Sequence, residues 1–496
     1  RIDPRNAAAA CAECLDALHQ GREEDGIALA EAALGHHPDD ARLHYAAGLL
    51  SRQIDENEAA IGHLSRAAQL APANAEIAHS LARVHLEAGL PSAGLFRATL
   101  SLAPQDQDAM MGLVGATVQD EGAAAGLALI EETVARNPHW LPGQELLAQL
   151  RWQNGDREGY TSRLEQALAA APRNLALWRS LISARINAED LEGALAAVRA
   201  GRAAAGHHML FDANEAICLA DLGATAEAEA WFARLGDAPG PAFQVHRVRH
   251  LLRTGRPADA AALALRFTDT PAGDVFWAYV SVAWRLTGDP RWEWLEGDPR
   301  LVGVYDLGDA ITSPEALIAL LRTLHRWAHH PLQQSLRGGT QTDGQLFPRI
   351  EPELRRLRQA VSDAVAAHIA QLPPLDPSHP MLSPRRDTRV RFTGSWSVRL
   401  TGGGRHVSHI HPMGWFSSAF YLVVPPPGAR GPEPAGWLAL GEPPADLQLD
   451  LPPLRVVEPK PGRLVLFPSI MWHGTRPFDG GERLTVAFDV ARPPAA

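Results

Sequence analysis

The sequence is poor in lysine and contains no long apolar run. Lys460 is the single lysine among 496 residues, and acidic residues outnumber basic ones to give a formal net charge of -11. Because nucleic-acid binding requires a basic face, this balance argues against a DNA- or RNA-binding protein. No stretch of about 18 consecutive apolar residues occurs, so the sequence predicts no membrane-spanning helix and no membrane partner.

Cysteine is almost as scarce, occurring only as Cys11, Cys14 and Cys218. Three cysteines cannot form a disulfide scaffold and suit a reducing compartment; with no visible secretory signal, we expect a cytoplasmic protein. The CAEC stretch at 11–14 is a lone CxxC pair on an alanine-rich helix, where packing is the expected role and metal or redox chemistry the alternative. The preference for arginine over lysine, with abundant alanine, is typical of a GC-rich bacterial genome.

A helical repeat occupies the first half of the chain. In residues 41–72, small residues fall at Gly48, Ala60 and Ala67, and the unit closes at Pro72. Two helices pack closely where side chains are small, and proline cannot continue a helix, so each unit is predicted to be a helix pair. Further closing prolines follow at spacings of 32, 34 and 34 residues, at Pro104, Pro138 and Pro172.

This register resembles the tetratricopeptide repeat over about residues 6–270, with fainter units in its last third. The resemblance implies an α-solenoid with an extended concave surface, because one repeat cannot bury its apolar face alone. The expected use of that surface is to bind a peptide or protein. A structural extension, including one that forms a homodimer, is the alternative.

The pattern changes near residue 274. Helical patterns continue to about residue 380, interrupted by the polar segment 333–347, whose GGTQT stretch is expected to be a loop covering a pocket. Farther on, short runs of strand-forming residues separated by glycine and proline predict an antiparallel β-sandwich or barrel. We therefore predict a repeat domain at 1–273, a helical supporting region at 274–380 and a strand-rich core at 381–496.

Histidines cluster in front of one predicted strand, in HVSHIHPMGWFSS. His409 and His411 are two positions apart, so an extended backbone directs both side chains to the same face. His473 follows another strand run, LVLFPSIMW, and Arg483 comes ten residues later, with Thr485 two positions beyond. Singly, the histidines could cap strand ends and Arg483 could form a surface ion pair, but the combined spacing favours a metal centre.

These segments resemble the non-haem iron, 2-oxoglutarate-dependent oxygenases over about residues 275–496. The matching motifs are HIHPMGWFS (409–417), LVLFPSIMWH (464–473) and RLTVAF (483–488). The resemblance implies a double-stranded β-helix (jelly roll) with flanking helices behind the α-solenoid, in a multidomain α + β chain. It also implies Fe(II) as the metal, with 2-oxoglutarate and O₂ as co-substrates.

The resemblance further assigns ligands to the metal. Iron in these enzymes needs three protein ligands on one face, which leaves positions for bidentate 2-oxoglutarate and for O₂. The expected metal ligands are His409, His411 and His473.

The far carboxylate of 2-oxoglutarate would be buried and needs a cation, which makes Arg483 its expected partner, with Thr485 adding a hydrogen bond. Tyr421 and Ser417 share one strand face and are further candidates for this cofactor-binding pocket. Arg399 alternates either into the barrel or out of it. The expected substrate or pocket contacts are Arg399, Gln341, Thr342 and Trp415.

One position departs from the family pattern, because His411 stands where the usual triad has aspartate or glutamate. A three-histidine site is one reading, and a two-histidine site completed by water or an anion is another. A His406–His409 pair, or a carboxylate arriving from elsewhere in the chain, are further alternatives. An open position accepting chloride would make halogenation conceivable.

The sequence thus predicts an Fe(II)- and 2-oxoglutarate-dependent oxygenase, a hydroxylase whose peptide, protein or carrier-bound substrate is recruited by the repeats. The alternative is a non-catalytic tetratricopeptide scaffold with a degenerate metal-binding jelly roll. Retention of the histidines and of Arg483 favours the enzyme.

Overall fold

The computed structural model describes residues 2–311, 313–332 and 334–493. Gln333, the first residue of the segment 333–347 singled out above, lies outside these ranges. The chain divides into two compact units: residues up to 133 together with 343–359, and residues 134–342 together with 360 onward. The predicted domain boundaries at 273/274 and 380/381 stay predictions beside this division.

The first unit is an array of antiparallel helix pairs. Small residues allow the close packing, since a Cβ on Gly48 would lie 2.6 Å from Leu64 Cγ. The helices that begin in this unit before residue 133 are α1 (Ala7–His19), α2 (Glu23–Leu34), α3 (Ala41–Gln53), α4 (Asn57–Leu70), α5 (Ala75–Glu87), α6 (Ala93–Leu102), α7 (Gln107–Glu121) and α8 (Ala123–Arg136).

The repeat prolines also set where the next helix begins. Two residues after Pro72, the Asn74 side chain accepts the backbone N–H groups of Glu76 and Ile77 at the start of α5. Two residues after Pro104, Asp106 caps α7 in the same way. A side-chain oxygen at this position satisfies N–H groups that have no partner inside the helix. The repeat period of the sequence therefore fixes both the end of one helix and the start of the next.

The segment 343–359 packs on the helices of this first unit. Asn57 donates a hydrogen bond from Nδ2 to the Pro348 carbonyl oxygen at 2.8 Å, although 291 residues separate them in sequence. Arg358 donates to the carbonyl oxygens of Asp55 and Ile54 after α3. These contacts cover turns of the repeat array with a segment from the second half of the chain.

The CAEC pair belongs to the packing of this unit. Cys14 is buried and its thiol lies 3.4 Å from the Gly26 carbonyl oxygen. Burial raises the pKa of Cys14 to about 11, so the thiol stays protonated at neutral pH. Both cysteines of the pair are free, which agrees with the packing role.

Helix pairs continue in the second unit and are followed by strands. The helices are α9 (Leu141–Gln153), α10 (Ser162–Ala170), α11 (Leu175–Asn187), α12 (Leu191–Ala205), α13 (Met209–Asp221), α14 (Thr225–Leu235), α15 (Pro241–Arg253), α16 (Pro257–Leu265), α17 (Gly273–Thr287), α18 (Pro314–Leu324), α19 (Pro352–Gln371, which begins in the 343–359 segment) and α20 (Pro427–Arg430). No helix in the described parts of the chain has the length and apolar character to cross a bilayer.

Two antiparallel sheets follow. The strands are β1 (Gly303–Asp306), β2 (Leu336–Gln341), β3 (Phe392–His406), β4 (Phe416–Val423), β5 (Leu438–Leu440), β6 (Arg455–Val457), β7 (Arg463–Pro468), β8 (His473–Thr475) and β9 (Arg483–Val490). One sheet has the order β1-β7-β4-β9-β3-β2 and the other β6-β5-β8. Tyr421 and Phe467 of the first sheet share an apolar core with Leu438 and Val457 of the second. The fold is thus α + β, with helix pairs first and packed antiparallel sheets last.

The GGTQT stretch corrects one expectation. Its residues lie mostly in the edge strand β2, which pairs with β3, and do not form the predicted loop. Gly338 adopts a φ of +72° at the register shift, and a Cβ on Gly339 would lie 2.3 Å from the Arg399 carbonyl oxygen. The glycines therefore permit a bulge in the strand and a close approach of two backbones. Because glycines are equally typical of loops, the sequence alone did not distinguish the two structures.

Candidate metal centre

The first structural element of the site is a backbone bridge between two distant segments. The N–H of His409 donates to the carbonyl oxygen of His473 at 3.0 Å, and the N–H of His473 donates back at 3.0 Å. The N–H of His411 donates to the Ser469 carbonyl oxygen at 2.9 Å. These bonds fix the segment 409–411 against β8 and the turn before it.

The bridge brings three imidazoles together. A nitrogen from each of His409, His411 and His473 lies within 4.8 Å of the others. Ring centroids are 4.2 Å apart for His409 and His473, and 5.0 Å apart for His411 and His473. Among the described residues, this is the one group of three or more potential ligands with the spacing of a metal site.

Hydrogen bonds behind the rings determine which nitrogens face the centre. His409 Nδ1 lies 2.9 Å from the Val407 carbonyl oxygen, and His473 Nδ1 lies 3.0 Å from that of Met471. A carbonyl oxygen can only accept, so both Nδ1 atoms carry the proton and both Nε2 atoms keep a lone pair. Nε2 is therefore the metal-binding atom on each ring.

The surroundings favour neutral imidazole at these positions. Burial, followed by the neighbouring imidazoles, holds the pKa of His409 and His473 well below the usual range. Burial also lowers the pKa of His406 to about 3, helped by the charge of Arg483. Neutral rings are the form that binds a metal ion, because a protonated nitrogen has no lone pair.

His411 differs from the other two rings in having a carboxylate behind it. Its Nδ1 lies 2.8 and 2.7 Å from the two carboxylate oxygens of Asp489, at the end of β9. Ser417 Oγ lies 2.7 Å from Asp489 Oδ1 and 3.0 Å from Ser469 Oγ. A hydroxyl has one proton and a carboxylate only accepts, so Ser417 donates to Asp489 and Ser469 donates to Ser417.

Arg483 is a buried cation beside the imidazoles. Its side chain is 3% exposed, and Nη1 donates to the Gly436 carbonyl oxygen at 2.8 Å. The guanidinium carbon lies 4.8 Å from the centre of the Tyr421 ring. Among the described residues no carboxylate pairs with Arg483, and its Nε and the Tyr421 hydroxyl are buried without hydrogen-bond partners. Burial lowers the pKa of this guanidinium.

A cavity joins the imidazoles to this cation. Arg483 and Thr485 line it from β9, and Gln341 lines it from the end of β2. The three clustered histidines and His406 also line it. His406 does not join the group of three, and its Nδ1 lies 3.1 Å from Ser335 Oγ.

Other residues singled out from the sequence lie outside this cavity. Arg399 is 41% exposed and pairs with Glu482 at 2.6 Å, whereas its neighbour Val398 lines the cavity. The Thr342 hydroxyl accepts the Ser397 N–H, and the Trp415 indole N–H donates to the Met381 carbonyl oxygen. Ser417 lies behind His411, bonded to Asp489 rather than lining the cavity.

A second, larger cleft adjoins the inner cavity at His409. It has a volume of about 930 Å³ and shares His406 and His409 with the inner cavity. Its walls include Arg249 of α15 and the segment 442–451, and an ion pair joins Arg249 to Asp446 across them. Helix α15 therefore contributes to the wall of a cleft that also contains His406 and His409.

Sequence reasoning missed Asp489 and the importance of Gly414. Asp489 is 78 residues from His411, and its only signal was a carboxylate at the end of the strand that starts with Arg483. A Cβ on Gly414 would lie 2.6 Å from Ser469 Oγ and 3.2 Å from Asp489 Cβ. The glycine in HPMGW thus leaves space for the hydrogen-bonded chain behind His411.

Comparison with known families identifies the strand-rich region. Residues 394–489 match a family model described as "Putative 2OG-Fe(II) oxygenase". This range contains all three clustered histidines, Arg483 and Asp489. The family implies Fe(II), 2-oxoglutarate and O₂, and the three-histidine cluster is compatible with that set. No curated protein matches the chain.

Solved structures similar to the chain are helical repeat proteins. They include the TPR protein YrrB, with an unusual peptide-binding site, at 14% identity over 35% of this chain and 90% of that one (TM-score 0.29). A tetratricopeptide repeat protein from Parabacteroides merdae covers 44% of this chain and 86% of its own at 12% identity (TM-score 0.31). MamA from Desulfovibrio magneticus covers 34% and 95% at 16% identity (TM-score 0.29).

Helix pairs, closing prolines and side-chain caps recur along the array of this chain. The chain thus joins an array of helix pairs with the register of tetratricopeptide repeats to a strand-rich region whose residues 394–489 match the 2OG-Fe(II) oxygenase family model.

Proposed function

We propose that the protein is an Fe(II)- and 2-oxoglutarate-dependent hydroxylase acting on a peptide, protein or carrier-bound substrate recruited by its helical array. The observation that carries the proposal is Arg483, a buried guanidinium that pairs with no carboxylate among the described residues, in the same cavity as three convergent imidazoles. A buried charge is costly unless it is paired. A dicarboxylic acid that reaches from the metal to Arg483 would pair it.

The residues present fit these groups. Three Nε2 lone pairs suit Fe(II), for which imidazole is a common ligand. Arg483 Nε and the Tyr421 hydroxyl have no hydrogen-bond partner in the described part of the chain, and with Thr485 on the cavity wall they suit a carboxylate. When bound, iron, 2-oxoglutarate and O₂ would supply the oxidation of a C–H bond to an alcohol, with succinate and CO₂ as the other products. The part of this chain is to hold the acid at Arg483 and to keep the imidazoles of His409 and His473 neutral through their burial.

The cleft supports a substrate larger than a small metabolite. About 930 Å³ lies at the upper end of the range of ligand pockets. Both apolar residues, including Ile410, Leu449 and Leu451, and charged residues line it. A polypeptide segment would fill such a cleft while placing one side chain in front of His409.

The test is turnover of 2-oxoglutarate by anaerobically Fe(II)-loaded full-length protein after admission of air. We expect one succinate for each 2-oxoglutarate consumed. The reaction should be slow for the protein alone and faster when substrate is added. His473→Ala is the matched inactive control. Absence of succinate from protein shown to contain iron would favour the alternative, a non-catalytic scaffold with a degenerate metal site.

A further inference from the structure

The strongest unexplained feature of the centre is the buried carboxylate behind His411. Asp489 has a side chain only 12% exposed, and among the described residues no lysine or arginine pairs with it. Its oxygens instead lie on His411 Nδ1 and on the Ser417 hydroxyl. These hydrogen bonds satisfy the carboxylate oxygens, but neither donor carries a fixed positive charge.

A cation bound at Nε2 of His411 would compensate this charge through the imidazole ring. With Nδ1–H donated to the carboxylate, the Nε2 lone pair faces His409 and His473. Carboxylate–histidine pairs of this kind fix the tautomer of a metal-binding ring and raise its basicity. If His411 only lined the strand edge, burying a carboxylate behind it would cost free energy with no compensating cation.

Charge also explains how the site manages without a carboxylate ligand. Two histidines and one carboxylate reduce the charge of a divalent ion by one unit, whereas three neutral histidines leave it at two. Asp489 supplies this negative charge from behind His411, without contacting the metal itself. Gly414 and the two serines provide the space and hydrogen bonds that hold the carboxylate there.

We infer that His411 is the third metal ligand and that Asp489 is its positioning residue, which sets the tautomer of the ring and supplies the negative charge of the centre. The inference rests on the proposed function. It assigns a role to a residue that does not touch the metal or the substrate.

The test compares Asp489→Asn, Asp489→Ala, His411→Ala and Ser417→Ala in the full chain, with Co(II) as an air-stable probe. The asparagine retains an acceptor for Nδ1–H and loses only the charge. We expect Asp489→Asn to weaken Co(II) binding about tenfold and Asp489→Ala up to about a hundredfold, with shifted Co(II) absorption bands. His411→Ala should abolish tight binding, and Ser417→Ala should have the smallest effect.

Thermal unfolding of the metal-free proteins separates this role from simple packing. Removing a buried charge without a cation should leave metal-free Asp489→Asn as stable as the wild type or more stable, even though it binds metal more weakly. A loss of metal-free stability together with wild-type Co(II) affinity and spectrum would overturn the inference. Wild-type affinity in His411→Ala would do so as well.

The failure of the proposed function would look different. If wild-type protein bound Co(II) and lost it on Asp489 substitution, but formed no succinate with iron, the inference would stand and the enzymatic proposal would fall. If the wild type formed succinate and Asp489→Asn bound metal equally well, only the inference would fall. Wild-type protein that bound no divalent metal would overturn both.

Discussion

His409 and His473 exchange two backbone hydrogen bonds, each 3.0 Å long, and their ring centroids lie 4.2 Å apart. The main chain itself therefore sets the distance between two proposed ligands that are 64 residues apart in sequence. Side-chain packing adds to this, since the Phe467 ring lies 4.6 Å from that of His473. A pair held in this way needs little rearrangement to bind an ion.

Replacing His473 with alanine should abolish tight metal binding, because it removes one of the three imidazoles that converge in the described part of the chain. Metal content after loading and desalting measures this. His139→Ala, at an exposed position, is the matched control and should retain metal. His406→Ala should retain metal too. Loss of metal from His406→Ala, together with retention of metal by His411→Ala, would favour the His406–His409 alternative.

Replacing Arg483 with glutamine should weaken 2-oxoglutarate binding and leave metal content unchanged. Removing one member of a buried charge pair costs about 2–5 kcal/mol, so the dissociation constant should rise about thirtyfold or more. Calorimetric titration of the metal-loaded protein under anaerobic conditions measures it. Arg399→Gln is the control, because Arg399 pairs with Glu482 outside the cavity. Equal effects of the two substitutions would contradict the assignment of Arg483.

Replacing Leu449 with tryptophan should block the cleft without disturbing the inner cavity, which Leu449 does not line. We expect slow succinate formation by the protein alone to persist, while stimulation by a peptide substrate falls at least tenfold. Leu375→Trp, at an exposed leucine, is the control. Stimulation that survives in the Leu449 variant would place the substrate elsewhere.

His368 should make the metal-free protein sensitive to acid. Burial lowers its pKa from an ordinary value near 6.5 to about 4. The unfolded chain therefore binds a proton at this histidine below about pH 6.5, whereas the folded chain binds it only below about pH 4. The free energy of unfolding consequently decreases as the pH is lowered from 6.5 to 4. Between pH 6.5 and 5 this one group lowers the free energy of unfolding by about 2 kcal/mol.

Urea unfolding of the EDTA-treated wild type and of His368→Gln at pH 7 and pH 5 checks this. The variant loses the hydrogen bond between Tyr305 and the ring and should be less stable at pH 7. The decrease in its free energy of unfolding between pH 7 and pH 5 should nevertheless be smaller than that of the wild type. An equal loss in both proteins would assign the acid sensitivity to other groups.

The sequence predicts local structure well where one residue type has one physical role. The repeat prolines Pro72, Pro104 and Pro172 each follow the end of a helix, and the asparagine or aspartate two residues later caps the next helix. The histidine pair and the distant His473 could be connected because their spacing matches a known motif. The helical and strand-rich halves followed from the same kind of local signal.

What the sequence could not provide is the register that decides which neighbours meet. Alternation along β3 could not say whether Arg399 points inward, whereas its pairing with Thr340 and Leu484 places Val398 at the cavity instead. The pairing of Asp489 with His411 depends on β9 lying beside β4. Such contacts arise from the order of strands in the sheet and leave no trace in spacing.

Trp472, the residue before His473, donates its indole N–H to the Ala278 carbonyl oxygen of α17, and Arg285 of the same helix donates to the Gly441 and Pro452 carbonyl oxygens. Together with Arg249 of α15 in the cleft wall, these hydrogen bonds tie residues 394–489 to helices that precede them in the chain. A fragment cut near residue 390 would lose both the brace beside His473 and one side of its entrance. Exchanging α15–α17 between related chains should therefore be a route to altered substrate preference with the same chemistry.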